Sequence, residues 1–186
     1  MKRIFIEAGH NNSDSGAIGN GFKEADLTKE ARNILVQNLK LMGYTGEIIT
    51  DADAHSLGDT IKYFNSLVPK ADDILISLHF NAASNTEAKG AEVLHRYNAS
   101  DAVKTFCRDM AAIVVKDTPF KLRGTVGIVN ENMTPHKKLG ILQLVPTSGL
   151  IEFCFISNRD EILNYAALKH VILNNLAVFL FKHGRA

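Results

Sequence analysis

A histidine closes the first apolar run of the chain, Ile4-Phe5-Ile6-Glu7-Ala8-Gly9-His10. Gly9 lets the backbone bend there, and a loop rich in Asn, Ser, Asp and Gly leads to Gly21-Phe22-Lys23-Glu24, where a helical pattern opens. Imidazole and carboxylate are both common zinc ligands. His10 at a strand end and Glu24 at a helix start can face each other across such a loop. We read them as holding a metal whose third ligand comes from far along the chain. His79 ends another apolar run, with Asn81 two residues on and so on the same face of a strand. Glu152 is flanked by Leu150, Ile151, Phe153 and Phe155. A lone carboxylate in such a run is costly to bury unless something compensates it, and a cation would do so.

Singly, each group has a plainer reading. A histidine after a strand is commonly a hydrogen-bonded structural residue, a glutamate at a helix start suits the dipole, and Glu152 could pair with Lys or Arg. Compact metalloprotease spacing such as HExxH is absent. What links the groups is that sites in open α/β sheets gather beyond the carboxyl ends of the strands.

The elements that must position them follow from periodicity. Apolar residues recur at helical spacing from Glu24 to Met42, with Gly43 as the stop. A helix face over Ile61, Phe64, Leu67 and Val68 ends at Pro69. Ser100 can cap a helix carrying Val103, Phe106, Met110, Ile113 and Val114. Asn158 with Glu161 resembles a capping box opening helical sequence to about Phe181, with room for a break. Strands are expected at Ile4–Ile6, Glu47–Thr50, Ile74–Phe80, Gly90–Tyr97, Leu139–Val145 and Leu150–Phe155. Asp117 to His136 is the least patterned stretch. The alternation gives an α/β fold: a twisted, mostly parallel sheet of about six strands with helices on both faces. The direct passage from the third to the fourth strand leaves room for a mixed sheet.

At 186 residues, residues 1–186 read as a single domain, and a 46% apolar share supplies a sizeable core. A net charge of +1 does not suggest an electrostatically driven nucleic-acid binder. Cys107 and Cys154 sit in apolar patterns and read as core thiols. Cys154 would share a face with Glu152 in a regular strand, where a thiolate ligand is conceivable but packing is favoured. No stretch reads as a membrane span, and the run before Glu7 is too short for a signal-peptide core.

The sequence resembles the zinc-dependent N-acetylmuramoyl-L-alanine amidases of the amidase-3 type, which are bacterial cell-wall hydrolases. The matching pieces are Ile4 to His10, Gly16-Ala17, Gly21 to Glu24, Ser77-Leu78-His79-Phe80-Asn81-Ala82, Gly90-Ala91-Glu92-Val93 and Leu150 to Asn158. Arg123-Gly124 and Leu139 to Leu142 fit more loosely. The resemblance implies His10, Glu24 and His79 as ligands of Zn2+ and Glu152 as the catalytic carboxylate. It implies peptidoglycan as the partner, cut at the amide between N-acetylmuramic acid and L-alanine. Rival readings are a zinc peptidase cutting within the stem peptide and a wall-binding module without catalysis.

The resemblance has departures. Glu7-Ala8 stands where the family usually has Asp-Pro. Glu7 could be an outer partner that orients a histidine, or a surface or ion-paired residue. The Arg that often precedes the second helix in the family is absent from Thr50 to Asp59. Some members insert a blocking helix between the third and fourth strands. Ala82 to Lys89 leaves no room for one, so an open site of the lysin or sporulation kind is expected. Such an enzyme is made in the cytoplasm and reaches the wall on release, unless the domain is cut from a secreted protein. Oligomeric state is left open.

Overall fold

A computed structural model describes residues 1–185. Six strands form the main sheet: β1 (Ile4–Ala8), β4 (Ile48–Thr50), β5 (Ile74–Asn81), β6 (Glu92–His95), β7 (Ile128–Asn130) and β8 (Thr147–Phe155). Their spatial order is β4-β1-β5-β8-β6-β7. Every neighbouring pair is parallel except β6 with β8. The expected mostly parallel α/β sheet is therefore present and is mixed.

The helices are α1 (Glu24–Leu41), α2 (Leu57–Ser66), α3 (Asp101–Val115) and α4 (Arg159–Arg185). They cover the two faces unequally. The larger core joins Ile4, Ile6, Ile76, Leu78 and Ile151 to α1, α3 and α4. The smaller one joins Phe5, Leu75, Leu94 and Leu150 to Phe64 of α2 and to Ile141, Leu142 and Val145. Strand alternation divides the residues this way. It also sends Glu7, Ser77, His79, Glu92 and Glu152 to the face of the smaller core.

Three elements differ from the sequence reading. Leu139–Val145 is not a strand: Gly140–Gln143 forms a 3-10 turn. Its apolar residues mimic a strand run, but the turn buries Ile141, Leu142 and Val145 together under the sheet. The sixth strand is instead β7, a half-buried edge of three residues inside the least patterned stretch. A hairpin of β2 (Ile18–Gly19) and β3 (Phe22–Lys23) occupies the loop before Glu24. Its turn residues Asn20 and Gly21 have φ of 51° and 84°, the left-handed pair that one kind of two-residue hairpin turn, type I′, requires.

Helix α4 runs unbroken over 27 residues. By length and composition it is apolar enough to cross a membrane, which corrects the sequence reading. Its apolar side meets the protein: Ile172, Leu173, Leu176, Ala177 and Leu180 are buried in the larger core. Asn158 caps it, its Oδ1 accepting from Glu161 N at 3.1 Å. The Glu161 carboxylate does not complete the box. It accepts from Gly90 N at 2.8 Å and Phe155 N at 2.9 Å, tying the helix start to the sheet.

Candidate metal centre

The first turn is built to present His10. Gly9 runs against the His79 ring so closely that a Cβ there would fall 2.3 Å from Cε1. His10 then adopts φ 68°, unusual for a residue with a side chain. The following loop holds itself together through Asn11 Oδ1, which accepts from Ser13 N at 2.7 Å and Asp14 N at 2.9 Å. Asp14 in turn places a carboxylate oxygen 2.9 Å from His10 Nδ1. That leaves the His10 Nε2 edge for Glu24.

Helix α1 fixes the turn from the other side with residues spaced by four, which share one face. Glu24 enters the site. Thr28 donates its hydroxyl to Gly9 O at 2.7 Å. Arg32 reaches Asp51 Oδ1 at 3.2 Å and Asp53 Oδ1 at 2.5 Å, and Asp51 Oδ1 also accepts from Ala8 N at 3.1 Å.

The two oxygens of Glu24 divide their partners. Oε2 lies 3.1 Å from His10 Nε2 and accepts from Ala17 N at 3.0 Å. Oε1 lies 3.0 Å from His79 Nδ1 and accepts from Phe80 N at 2.9 Å. One ligand atom from each of His10, Glu24 and His79 lies within 4.8 Å of the others. The imidazoles meet edge to face, their centroids 5.2 Å apart. Burial opposes charge on the rings. The hydrogen bond to Glu24 and nearby carboxylates override it, raising His10 and taking His79 to about 9. Burial likewise opposes ionisation of Glu24, but hydrogen bonds with both histidines hold its carboxyl far below the usual range.

Glu152 stands opposite His79 in the β5–β8 register. Its Oε2 is buried with no hydrogen-bond partner among the described residues. Burial raises its carboxyl to about 8, with Glu24 and Glu92 adding to the rise and His79 opposing it. The expected site residues therefore converge on the wall of one cleft of about 1100 Å³. The model of the N-acetylmuramoyl-L-alanine amidase family named Amidase_3 matches residues 4–170.

The chain belongs to the amidase-3 family.

Two curated relatives carry the same likeness. The endolysin of Bacillus phage SPP1 is 29% identical over 183 residues, covering 95% of this chain and 62% of the endolysin. The N-acetylmuramoyl-L-alanine amidase LytC of Bacillus subtilis (strain 168) is 29% identical over 161 residues, covering 85% of this chain and 30% of LytC. The chain thus spans less than two thirds of the length of either relative. The crystal structure of N-acetylmuramoyl-L-alanine amidase from Clostridium difficile 630 superposes with a TM-score of 0.77 at 22% identity. It covers 98% of this chain and 94% of that one, a likeness of fold.

Against the family pattern, several neighbours of the site take particular places. Glu7 is buried, not on the surface, has no ion pair among the described residues, and accepts a short hydrogen bond from Ser77 Oγ. No hydrogen bond joins it to either imidazole among the described residues. Cys154 does not share the face of Glu152. The register slips between His79 and Asn81, where the pairing moves from Glu152 to Phe155. This bulge turns Cys154 into the larger core, where burial pushes its thiol well up.

The sequence reading also missed residues of the cleft wall. Glu92 pairs directly with Glu152 across β6 and β8. Its Oε1 accepts from Asn81 Nδ2 at 2.8 Å and from Arg123 Nη1 at 2.6 Å. No local signal in the sequence joins positions 81, 92, 123 and 152. Asp14 escapes notice in the sequence for a different reason: one Asp in a polar loop is unremarkable until its distance to His10 is known.

Proposed function

We propose that this chain is the catalytic part of a zinc-dependent N-acetylmuramoyl-L-alanine amidase, acting on peptidoglycan at the amide joining the lactyl group of muramic acid to L-alanine. The observation that carries the proposal is the convergence of His10, Glu24 and His79, with the partnerless Glu152 oxygen on the same cleft wall.

The residues fit the cation on their chemistry. Two imidazoles and one carboxylate are a ligand set of catalytic zinc, which leaves a place for solvent. His10 also has a carboxylate, Asp14, on its other ring nitrogen, the outer arrangement that metal-bound histidines use to fix their tautomer. His10, Glu24 and His79 would hold the zinc. When bound, it supplies Lewis-acid polarisation of the scissile carbonyl and a lowered pKa for water.

The rest of the reaction belongs to the chain. Glu152, lacking another partner, accepts a proton from the attacking water as general base. The water oxygen bonds to the lactyl carbonyl carbon as the C–N bond to L-alanine breaks. Glu152 then returns the proton to the departing amine and is ready for another cycle. Burial that raises the Glu152 carboxyl suits a group that must take and give a proton near neutrality, and a neighbouring dication would draw it back toward ionisation. No helix lies between β5 and β6, which supports an open site.

The test is digestion of purified cell walls before chelation, after it and after zinc is restored. The expected products are new L-alanine amino termini and unsubstituted lactyl groups, lost with chelator and recovered with zinc. Amino termini from elsewhere in the stem would assign a peptidase, and digestion indifferent to chelator would remove the metal from the proposal.

A further inference from the structure

The cleft wall carries a charged group that the reaction above leaves without a task. Arg123 and Lys138 are the permanent cations among its described lining residues, beside five carboxylates, Glu7, Asp14, Glu24, Glu92 and Glu152. Lys138 lies in an exposed loop segment. Arg123 is anchored twice. Its Nη1 donates to Glu92 Oε1 at 2.6 Å, and its guanidinium lies 5.1 Å from the centroid of the Phe155 ring. Glu92 is itself fixed by Asn81 and by pairing with Glu152.

A guanidinium has five N–H donors in a planar fork. The Glu92 bond occupies one of the terminal nitrogens, and no other hydrogen bond from the guanidinium falls among the described residues. Its side chain keeps 49% of its surface exposed, so the remaining donors are open while the plane is held. A fork fixed in this way is suited to a planar anion.

We propose that Arg123 is a specificity-determining residue that receives a carboxylate of the peptide stem bound in the cleft. The proposal rests on the amidase reading, because that reading puts an acidic stem beside the scissile amide. The shared chemistry is a carboxylate one or two residues beyond L-alanine. Glu92, Asn81 and Phe155 hold the arm, and the two-stranded β6–β8 pairing sets it next to the reacting end of the cleft.

The experiment uses synthetic muramoyl peptides in matched pairs with the zinc-loaded protein. In one pair the second stem residue carries a free carboxylate or a carboxamide. In the other the change is on the third residue. The expected result for Arg123→Gln is a KM raised roughly ten- to a hundredfold on the carboxylate member of one pair, the range for losing a charged hydrogen bond. Its kcat should stay level, and the carboxamide member should be unaffected. The pair that responds identifies the source of the carboxylate. Arg123→Lys should recover part of the loss, since it keeps the charge without the fork. Equal losses on both members of each pair, or a fall in kcat at constant KM, would overturn the proposal and leave Arg123 as a counter-ion for Glu92. Should Arg123→Gln fail to fold, the same comparison with Arg123→Lys decides. Wild-type protein that cleaves none of the four peptides would defeat the amidase reading instead.

Discussion

Thr28 donates its hydroxyl proton to Gly9 O at 2.7 Å, joining the second turn of α1 to the bend that precedes His10. Neither residue offers a metal ligand, yet the bond sets where the histidine begins. Thr28 is fully buried. Thr28→Val keeps the shape and leaves the carbonyl without its side-chain partner, at a cost of about 1–3 kcal/mol. Urea unfolding of the metal-free protein should show this loss, and zinc titration should show weaker binding. Thr28→Ser should restore both.

Gly9 makes a sharper prediction. The Cβ of Gly9→Ala would come within 2.3–2.6 Å of three atoms of the His79 ring, so the ring must leave its position. Zinc affinity should fall by at least tenfold, roughly the lower end reported for disturbing the groups that support a metal ligand. The sheet should persist, read by far-ultraviolet circular dichroism. Unchanged zinc affinity would show that His79 does not need its present place.

Metal retention and catalysis should separate at Glu152. Glu152→Gln should keep zinc at wild-type stoichiometry by atomic absorption, while wall hydrolysis falls by roughly 10²–10⁴-fold, the contribution of a general base. Glu24→Gln and His79→Ala should lose the zinc itself. Loss of zinc from Glu152→Gln would move that carboxylate into the ligand set.

A test of acid stability lies far from the cleft. Asp73 is buried, and its Oδ2 lies 2.6 Å from Arg3 Nη2 and accepts from Lys70 N at 2.6 Å. Burial works against its ionisation, but those bonds prevail and its carboxyl sits below the ordinary range. A depressed folded-state pKa stabilises the protein above the unfolded value of about 3.9. That stabilisation is lost as pH falls through the lower folded value. Asp73→Asn should therefore lower stability at neutral pH, by about 1–3 kcal/mol for charged hydrogen bonds. Denaturant midpoints measured from pH 7 downward should show the gap to wild type closing below pH ~4.

By itself the sequence determined the parts whose physics is local. Burial on both sides made Ile74–Leu78 apolar but for Ser77, one-sided burial gave α1 and α3 their spacing, and Ser100 caps α3 by accepting from Val103 N. His10, Glu24, His79 and Glu152 were named from strand ends, a helix start and a family resemblance. The tertiary structure decided what depends on distant partners. The bulge in β8, beside the end of β5, turned Cys154 away from Glu152. The smaller core curled Gly140–Gln143 into a turn, and β7 became a strand by pairing with β6. The meeting of Glu92 with Glu152, and of Arg123 with Glu92, was settled by register. Register belongs to two strands at once, so neither strand carries it alone.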